Sequence, residues 1–181
     1  MKIIKFLLLS FALISVQLLI AQSKLTIVDK KVSFGHSVAE NRNVDVIVVH
    51  STFNNSGGEK YDPDLVIKQF STYGVSSHYL IGRDGTIYLL VEEKNVAFHA
   101  GKSVLPNGRS GLNTCSIGIE LITSFDEAPT DAQIKALEAL VNDIKSRYKI
   151  NFIVRHSDIA PDRKTDPWNM NWEAFLPLVT N

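Results

Sequence analysis

Two histidines and one aspartate carry the clearest chemical signal in this chain. His50 closes the apolar run Val44 to His50 (VDVIVVH), and His156 follows the short run Phe152 to Val154 and Arg155. Each run reads as a buried strand, so each histidine falls at a strand end, where a sheet presents its loops and ligand groups. From His156 the chain continues SDIAPDRKTDP to Pro167. Two prolines restrict that loop and allow it to turn Asp166 back towards His156. Two neutral imidazoles and one carboxylate form a donor set suited to zinc, with the fourth tetrahedral position left for water. An open position belongs to a catalytic site.

Lys164 stands two residues before Asp166, on the same side of an extended loop. An ammonium there would stabilise the oxyanion that forms when water attacks a carbonyl carbon, or would be a solvated surface charge. Glu120 lies in the run Cys115 to Leu121 (CSIGIEL). Alternation puts Cys115, Ile117, Ile119 and Leu121 on one face and Ser116, Gly118 and Glu120 on the other, with Gly118 clearing space for a group to approach the backbone. Glu120 is then either a rigidly held, partly desolvated general base or an edge-strand carboxylate on a wet face. His99, in FHAG, is a rival metal ligand or a substrate-contacting group. His78 opens a strand beside Tyr79 and reads as structural, and His36 has no nameable partner.

The elements that must position these residues are legible at low resolution. Asp62-Pro63 caps and opens a helix in which Leu65, Val66, Gln69 and Phe70 recur at helical spacing until Gly74. Residues 78–81 and 86–91 flank Asp84-Gly85, a hairpin signal. Thr130 to Gln133 is a capping box, continued by the stripe Ile134, Leu137, Leu140, Val141, Ile144 and Tyr148. A strand at 152–154 and a short helix from Trp172 complete an α/β domain: one mixed central β-sheet flanked by α-helices.

With 181 residues, 45% of them hydrophobic, the chain suits a single core and excludes wholesale disorder. Nineteen basic and nineteen acidic side chains balance, so no footprint for nucleic acid is visible. The single cysteine, Cys115, excludes an internal disulfide, an all-cysteine zinc site and an iron–sulfur cluster. At the N-terminus, Lys2 and Lys5 precede an apolar run from Phe6 to Ile20 and the small Ala21, the order of a secretory signal; a membrane anchor is the alternative. The expected organisation is a signal peptide at 1–22, a loosely structured lead-in at 23–43 and one domain at 44–181. The mature protein would be periplasmic or secreted and free of stable membrane association. Losing Lys2 and Lys5 would leave it slightly acidic.

The segments VIVVHST around His50, SSHYLIGRDGTIY from Ser76 to Tyr88, FHAG at 98–101, SIGIEL at 116–121 and HSDIAPDRKTDP from His156 occur in one order. In these the chain resembles the zinc-dependent N-acetylmuramoyl-L-alanine amidases of the amidase-2 (AmpD-like) group, relatives of phage T7-type lysozyme and of the peptidoglycan recognition proteins. The resemblance implies a helix-flanked sheet with one zinc ion in a surface groove. It also implies hydrolysis of the amide between N-acetylmuramic acid and L-alanine in peptidoglycan or muropeptides. The zinc ligands carry over to His50, His156 and Asp166, and the catalytic glutamate and lysine to Glu120 and Lys164. His99 is then read as lining the substrate groove, and Arg163 as gripping a peptide carboxylate. Three positions depart from the pattern: Ser77 in place of a tyrosine common in the phage and recognition-protein branches, Phe98 in place of tryptophan, and Asp162 in place of glycine. A non-catalytic peptidoglycan-binding module is the rival reading, although every ligand and catalytic position is filled by a competent residue. The same amidase exported as an antibacterial toxin is another.

Overall fold

The computed structural model describes residues 25–180; the segment read as a secretory signal lies outside the described residues. The chain runs through β1 (Ile27–Asp29), β2 (His36–Ser37), β3 (Val46–Thr52), α1 (Pro63–Tyr73), β4 (Tyr79–Ile81), β5 (Ile87–Leu89), β6 (Val96–Ala97), β7 (Ser116–Ile122), α2 (Asp131–Arg147), β8 (Phe152–Arg155), α3 (His156–Ile159) and α4 (Trp172–Thr180). Six strands form one sheet in the order β1-β5-β4-β7-β3-β8. Only the β4–β5 pair is antiparallel, joined by the expected Asp-Gly turn, so the sheet is mixed. None of the described helices is long and apolar enough to cross a membrane.

The two central strands are buried on both faces, which explains their nearly continuous apolar character. On one face Ile47, Val49, Ile117, Ile119 and Leu121 pack against α2 and α4. From α2 alone, Leu137, Leu140, Val141 and Ile144 are fully buried there, each stabilising the fold by about 1.5–3 kcal/mol. On the opposite face Val46 and Val48 meet Ala100, Leu105, Leu112 and Ile159, while Leu80 meets Val66 and Phe70 of α1. This second face is covered by α1 and by loop segments, and it carries the polar residues of the site.

Local signals hold where they are strongest. The Asp62 side chain accepts from the backbone N–H groups of Asp64 and Leu65, and Gly74 ends α1 in the left-handed conformation at φ 64°. The Thr130–Gln133 capping box is present in full. Its glutamine does more than cap: fully buried, it also donates from Nε2 to the carbonyls of Ile81 and Ile122, both at 3.0 Å. Gln133 thereby ties the C-terminal ends of β4 and β7 to the start of α2.

Two expectations are corrected. The described part of the lead-in is not loose. β1 extends the sheet beside β5, β2 pairs with β6, and Arg42 donates to the carbonyls of Glu93, Asn113 and Thr114 at 2.6, 3.0 and 3.2 Å. That order comes from backbone pairing with the sheet edge and leaves little periodicity in the sequence. Cys115 does not share the face of Ile117. Its backbone (φ −126°, ψ 5°) is off the extended region and ends a short 3-10 turn, Leu112–Thr114, so the alternation starts one residue later. The half-buried thiol packs instead beside the Val46–Val48 cluster.

Candidate active site

The site forms where β3, β7 and β8 reach their C-terminal ends, the edge at which parallel strands present ligand groups. His50 in β3 is register-matched to Glu120 in β7, and His156 begins α3 directly after β8. The loop beyond α3 closes on itself, with the Ser157 N–H donating to the Asp166 carbonyl at 2.9 Å. The carboxylate is thereby turned back, as the two prolines suggested. Asp166 Oδ2 lies 3.1 Å from His156 Nδ1 and 3.5 Å from His50 Nδ1. All three residues are buried, and the three donor atoms lie within 4.8 Å of one another.

These distances fit a metal. Donors at about 2.0 Å from a tetrahedral zinc ion stand roughly 3.3 Å apart along each edge. The ring orientations agree. His156 Nε2 faces the Ala100 carbonyl at 3.3 Å, which can only accept, so the Nε2 proton points away from the cluster. In the neutral ring that metal binding requires, Nδ1 is then a lone pair directed at Asp166. Burial first, and then the closeness of the His156 ring, hold His50 down at about 4, which favours the neutral ring there as well.

Glu120 lies beside the cluster. Its Oε2 is buried without a hydrogen-bond partner. Burial first, and then the Asp166 charge, push its carboxyl well above the ordinary range, with Lys164 opposing. A carboxylate so placed has basicity to spare for accepting a proton. Glu120, Lys164, His99, His156, Asp166 and Trp168 line one cleft of about 250 Å³. Its rim is apolar: Phe98 and Tyr73 are 39% and 63% exposed, and Trp168 packs tilted against Phe125 with ring centroids 4.3 Å apart.

The structure therefore brings His50, His156, Asp166, Glu120, Lys164 and His99 together. It does not bring Arg163 into the cleft. That guanidinium donates to the carbonyl of Ala100 at 2.6 Å and to that of Lys102 at 3.0 and 2.5 Å, beside a separate hollow lined by Val104 and Asp162. Gly101 turns the backbone beside it in the left-handed region at φ 57°, and a Cβ there would stand 3.2 Å from Arg163 Nη2. The grip on a peptide carboxylate expected of Arg163 is replaced by a grip on the backbone that carries His99 and Ala100. Ser77 is also outside the cleft, fully buried with its hydroxyl donating to the Tyr79 carbonyl at 2.8 Å; its neighbour Ser76 lines the cleft. His78 is structural as expected, its Nδ1 accepting from the Gly118 N–H at 3.0 Å.

Residues 40–169 match the family described as N-acetylmuramoyl-L-alanine amidase (Amidase_2). The 1,6-anhydro-N-acetylmuramyl-L-alanine amidase AmpD of Citrobacter freundii is 45% identical over 109 residues, 59% of this chain and 58% of that protein. The match thus spans less than two thirds of that relative's length. A crystal structure of a selenomethionine AmpD derivative superposes with TM-score 0.69 at 36% identity, covering 83% of this chain and 93% of that one. The amidase AmiD from E. coli, solved with the substrate anhydro-N-acetylmuramic acid-L-Ala-D-gamma-Glu-L-Lys, superposes with TM-score 0.59 at 36% identity, covering 71% and 55% of the two chains. The family match takes in well over half of the chain, and the mixed sheet superposes on that of AmpD, so the chain belongs to the N-acetylmuramoyl-L-alanine amidase (Amidase_2) family.

Proposed function

We propose that this protein is a zinc-dependent amidase that cleaves the bond between N-acetylmuramic acid and L-alanine in peptidoglycan or in muropeptides released from it. The observation that carries the reading is the convergence of His50 Nδ1, His156 Nδ1 and Asp166 Oδ2 at ligand spacing, directly beside the unpartnered Glu120. AmpD and AmiD, the relatives named above, supply the substrate class. When bound, zinc supplies Lewis acidity and makes a water nucleophilic at neutral pH.

The chain's own residues divide the remaining work. Glu120 takes a proton from the attacking water and returns it to the departing alanine nitrogen, so that the leaving group departs as a neutral amine. Lys164 on the cleft wall places its ammonium against the oxyanion that develops on the carbonyl oxygen. The apolar rim of Phe98, Tyr73 and Trp168 holds the non-reacting parts of the substrate and sheds water from the cleft. His99 lines the same cleft on its inner wall.

Lys2, Lys5 and the apolar run to Ile20 further support export, with the enzyme acting on wall material outside the cytoplasm. The decisive experiment incubates the protein with purified peptidoglycan and with soluble muropeptides, with zinc or with chelator. Mass spectrometry should find free stem peptides beginning in L-alanine, released only when zinc is present. Absence of that release from both substrates sinks the enzyme reading.

A further inference from the structure

His50 has two ring nitrogens, and only Nδ1 faces Asp166; Nε2 points into the protein and meets His99 Nδ1 at 2.9 Å. The other nitrogen of His99, Nε2, meets the Ser116 hydroxyl at 3.1 Å, and that hydroxyl lies 2.6 Å from the Leu112 carbonyl. Four groups thus form a chain from the candidate metal ligand to the backbone.

The direction of every hydrogen bond in this chain follows from its far end. A peptide carbonyl cannot donate, so the single Ser116 proton goes to Leu112. The Ser116 oxygen must then accept from His99 Nε2–H. A neutral His99 has no second proton, and its Nδ1 is an acceptor, so His50 donates from Nε2. Among the described residues, the ring nitrogens of His99 meet only the His50 ring and the Ser116 hydroxyl, with no carboxylate in contact to hold a second proton. His50 is left with its lone pair on Nδ1, the atom that faces Asp166 and His156. The opposite tautomer would put a proton where a metal must bind.

Gly118 makes the arrangement possible. It lies between Ser116 and Glu120 on the same face of β7, and a Cβ built on it would stand 2.4 Å from His99 Cγ. The imidazole rests directly on bare backbone, which only glycine offers.

We propose that His99 and Ser116, seated on Gly118, are positioning residues that lock His50 in the tautomer competent to bind the metal. The inference rests on the zinc reading above and extends it, since it assigns a role to residues that ligate nothing themselves. Outer hydrogen-bond partners of this kind typically change metal affinity by about 10–100-fold.

The test measures zinc affinity by chelator competition for wild type, His99→Ala, Gly118→Ala and Ser116→Ala. It also records the thermal midpoint of each zinc-free protein, so that weak binding by a misfolded chain is recognised. The His99 and Gly118 variants should bind zinc ~10–100-fold more weakly, Ser116→Ala less so, with zinc-free midpoints that do not track the loss. His99→Gln, whose amide oxygen can accept from His50 and whose NH2 can donate onward, should recover part of the affinity. Independently of any metal, nitrogen-15 NMR of zinc-free wild type should show His50 protonated at Nε2, with a mixed signal in His99→Ala. Unchanged zinc affinity in His99→Ala, or a His50 protonated at Nδ1 in wild type, overturns the relay. A wild type that binds no zinc yet shows the Nε2 tautomer overturns the metal reading and leaves the relay standing.

Discussion

His50 and Glu120 occupy matched positions on adjacent parallel strands, so their side chains emerge next to each other on the same face of the sheet. One carries a metal-facing nitrogen and the other a carboxylate oxygen with no partner. Because neither residue is on a loop, their separation is fixed by strand spacing and does not depend on substrate to assemble. Glu120→Gln keeps the shape and removes the basicity. Turnover should fall about 10²–10⁴-fold while zinc content, read by elemental analysis, stays near that of wild type. Loss of the metal instead would make Glu120 a ligand and remove it from proton transfer.

Asp166 is the one anionic donor in the cluster, and Asn cannot replace its charge. Asp166→Asn should abolish the rise in thermal midpoint that zinc gives the wild type. A ligand present at 1,000 times its dissociation constant stabilises by about 4 kcal/mol, a shift readily seen by calorimetry. Equal zinc-induced shifts in the two proteins would rule Asp166 out as a ligand.

His78 is fully buried, and burial, reinforced by the Arg42 charge, depresses it from 6.5 to about 3. Its protonation therefore favours the unfolded chain. The stability it contributes is fully present above pH 6.5 and is lost as pH falls towards 3. In zinc-free protein, urea denaturation between pH 7.5 and 4.5 should show stability falling with acid, and His78→Asn should flatten that slope. Parallel slopes for the two proteins would contradict the assignment.

Gln133 serves the Ile81 and Ile122 carbonyls and the Thr130 N–H from one buried side chain. Gln133→Leu removes all three contacts at nearly constant volume. A loss of about 1–3 kcal/mol is expected by urea denaturation, from polar groups left buried without partners. Thr130→Ala, which removes only the cap, should cost about 1 kcal/mol and so provides the comparison.

Tyr73 is the most exposed of the aromatic residues lining the cleft, at the C-terminal end of α1 and away from the metal-facing groups. Tyr73→Ser should raise KM about 2–10-fold, the equivalent of ~0.5–1.5 kcal/mol of aromatic contact, and leave kcat unchanged. A fall in kcat with KM constant would mean that the rim acts in the transition state.

Much of the site could be read along the chain. His50 and His156 are marked by the apolar runs they terminate, the Asp166 loop by its prolines, and Glu120 by an alternation that also placed Ser116 and Gly118 on its face. Caps, hairpin turn and amphipathic stripe are local devices, since hydrogen bonds and periodicity within a few residues specify them. The contacts of Arg163 were not legible in the chain, because its type suits a carboxylate whereas its neighbours in space are carbonyls. The same holds for the lead-in, where order comes from pairing with strands some sixty residues further on.

The sequence by itself determined the donor types, the strand ends that carry them and the face on which Glu120 lies. Only the tertiary structure decided which nitrogen of His50 faces Asp166, and that His99 rests on Gly118 with Ser116 behind it. A tautomer is set by hydrogen bonds between residues 49 and 17 positions apart, and these exist only once β3, the 98–101 segment and β7 are packed together.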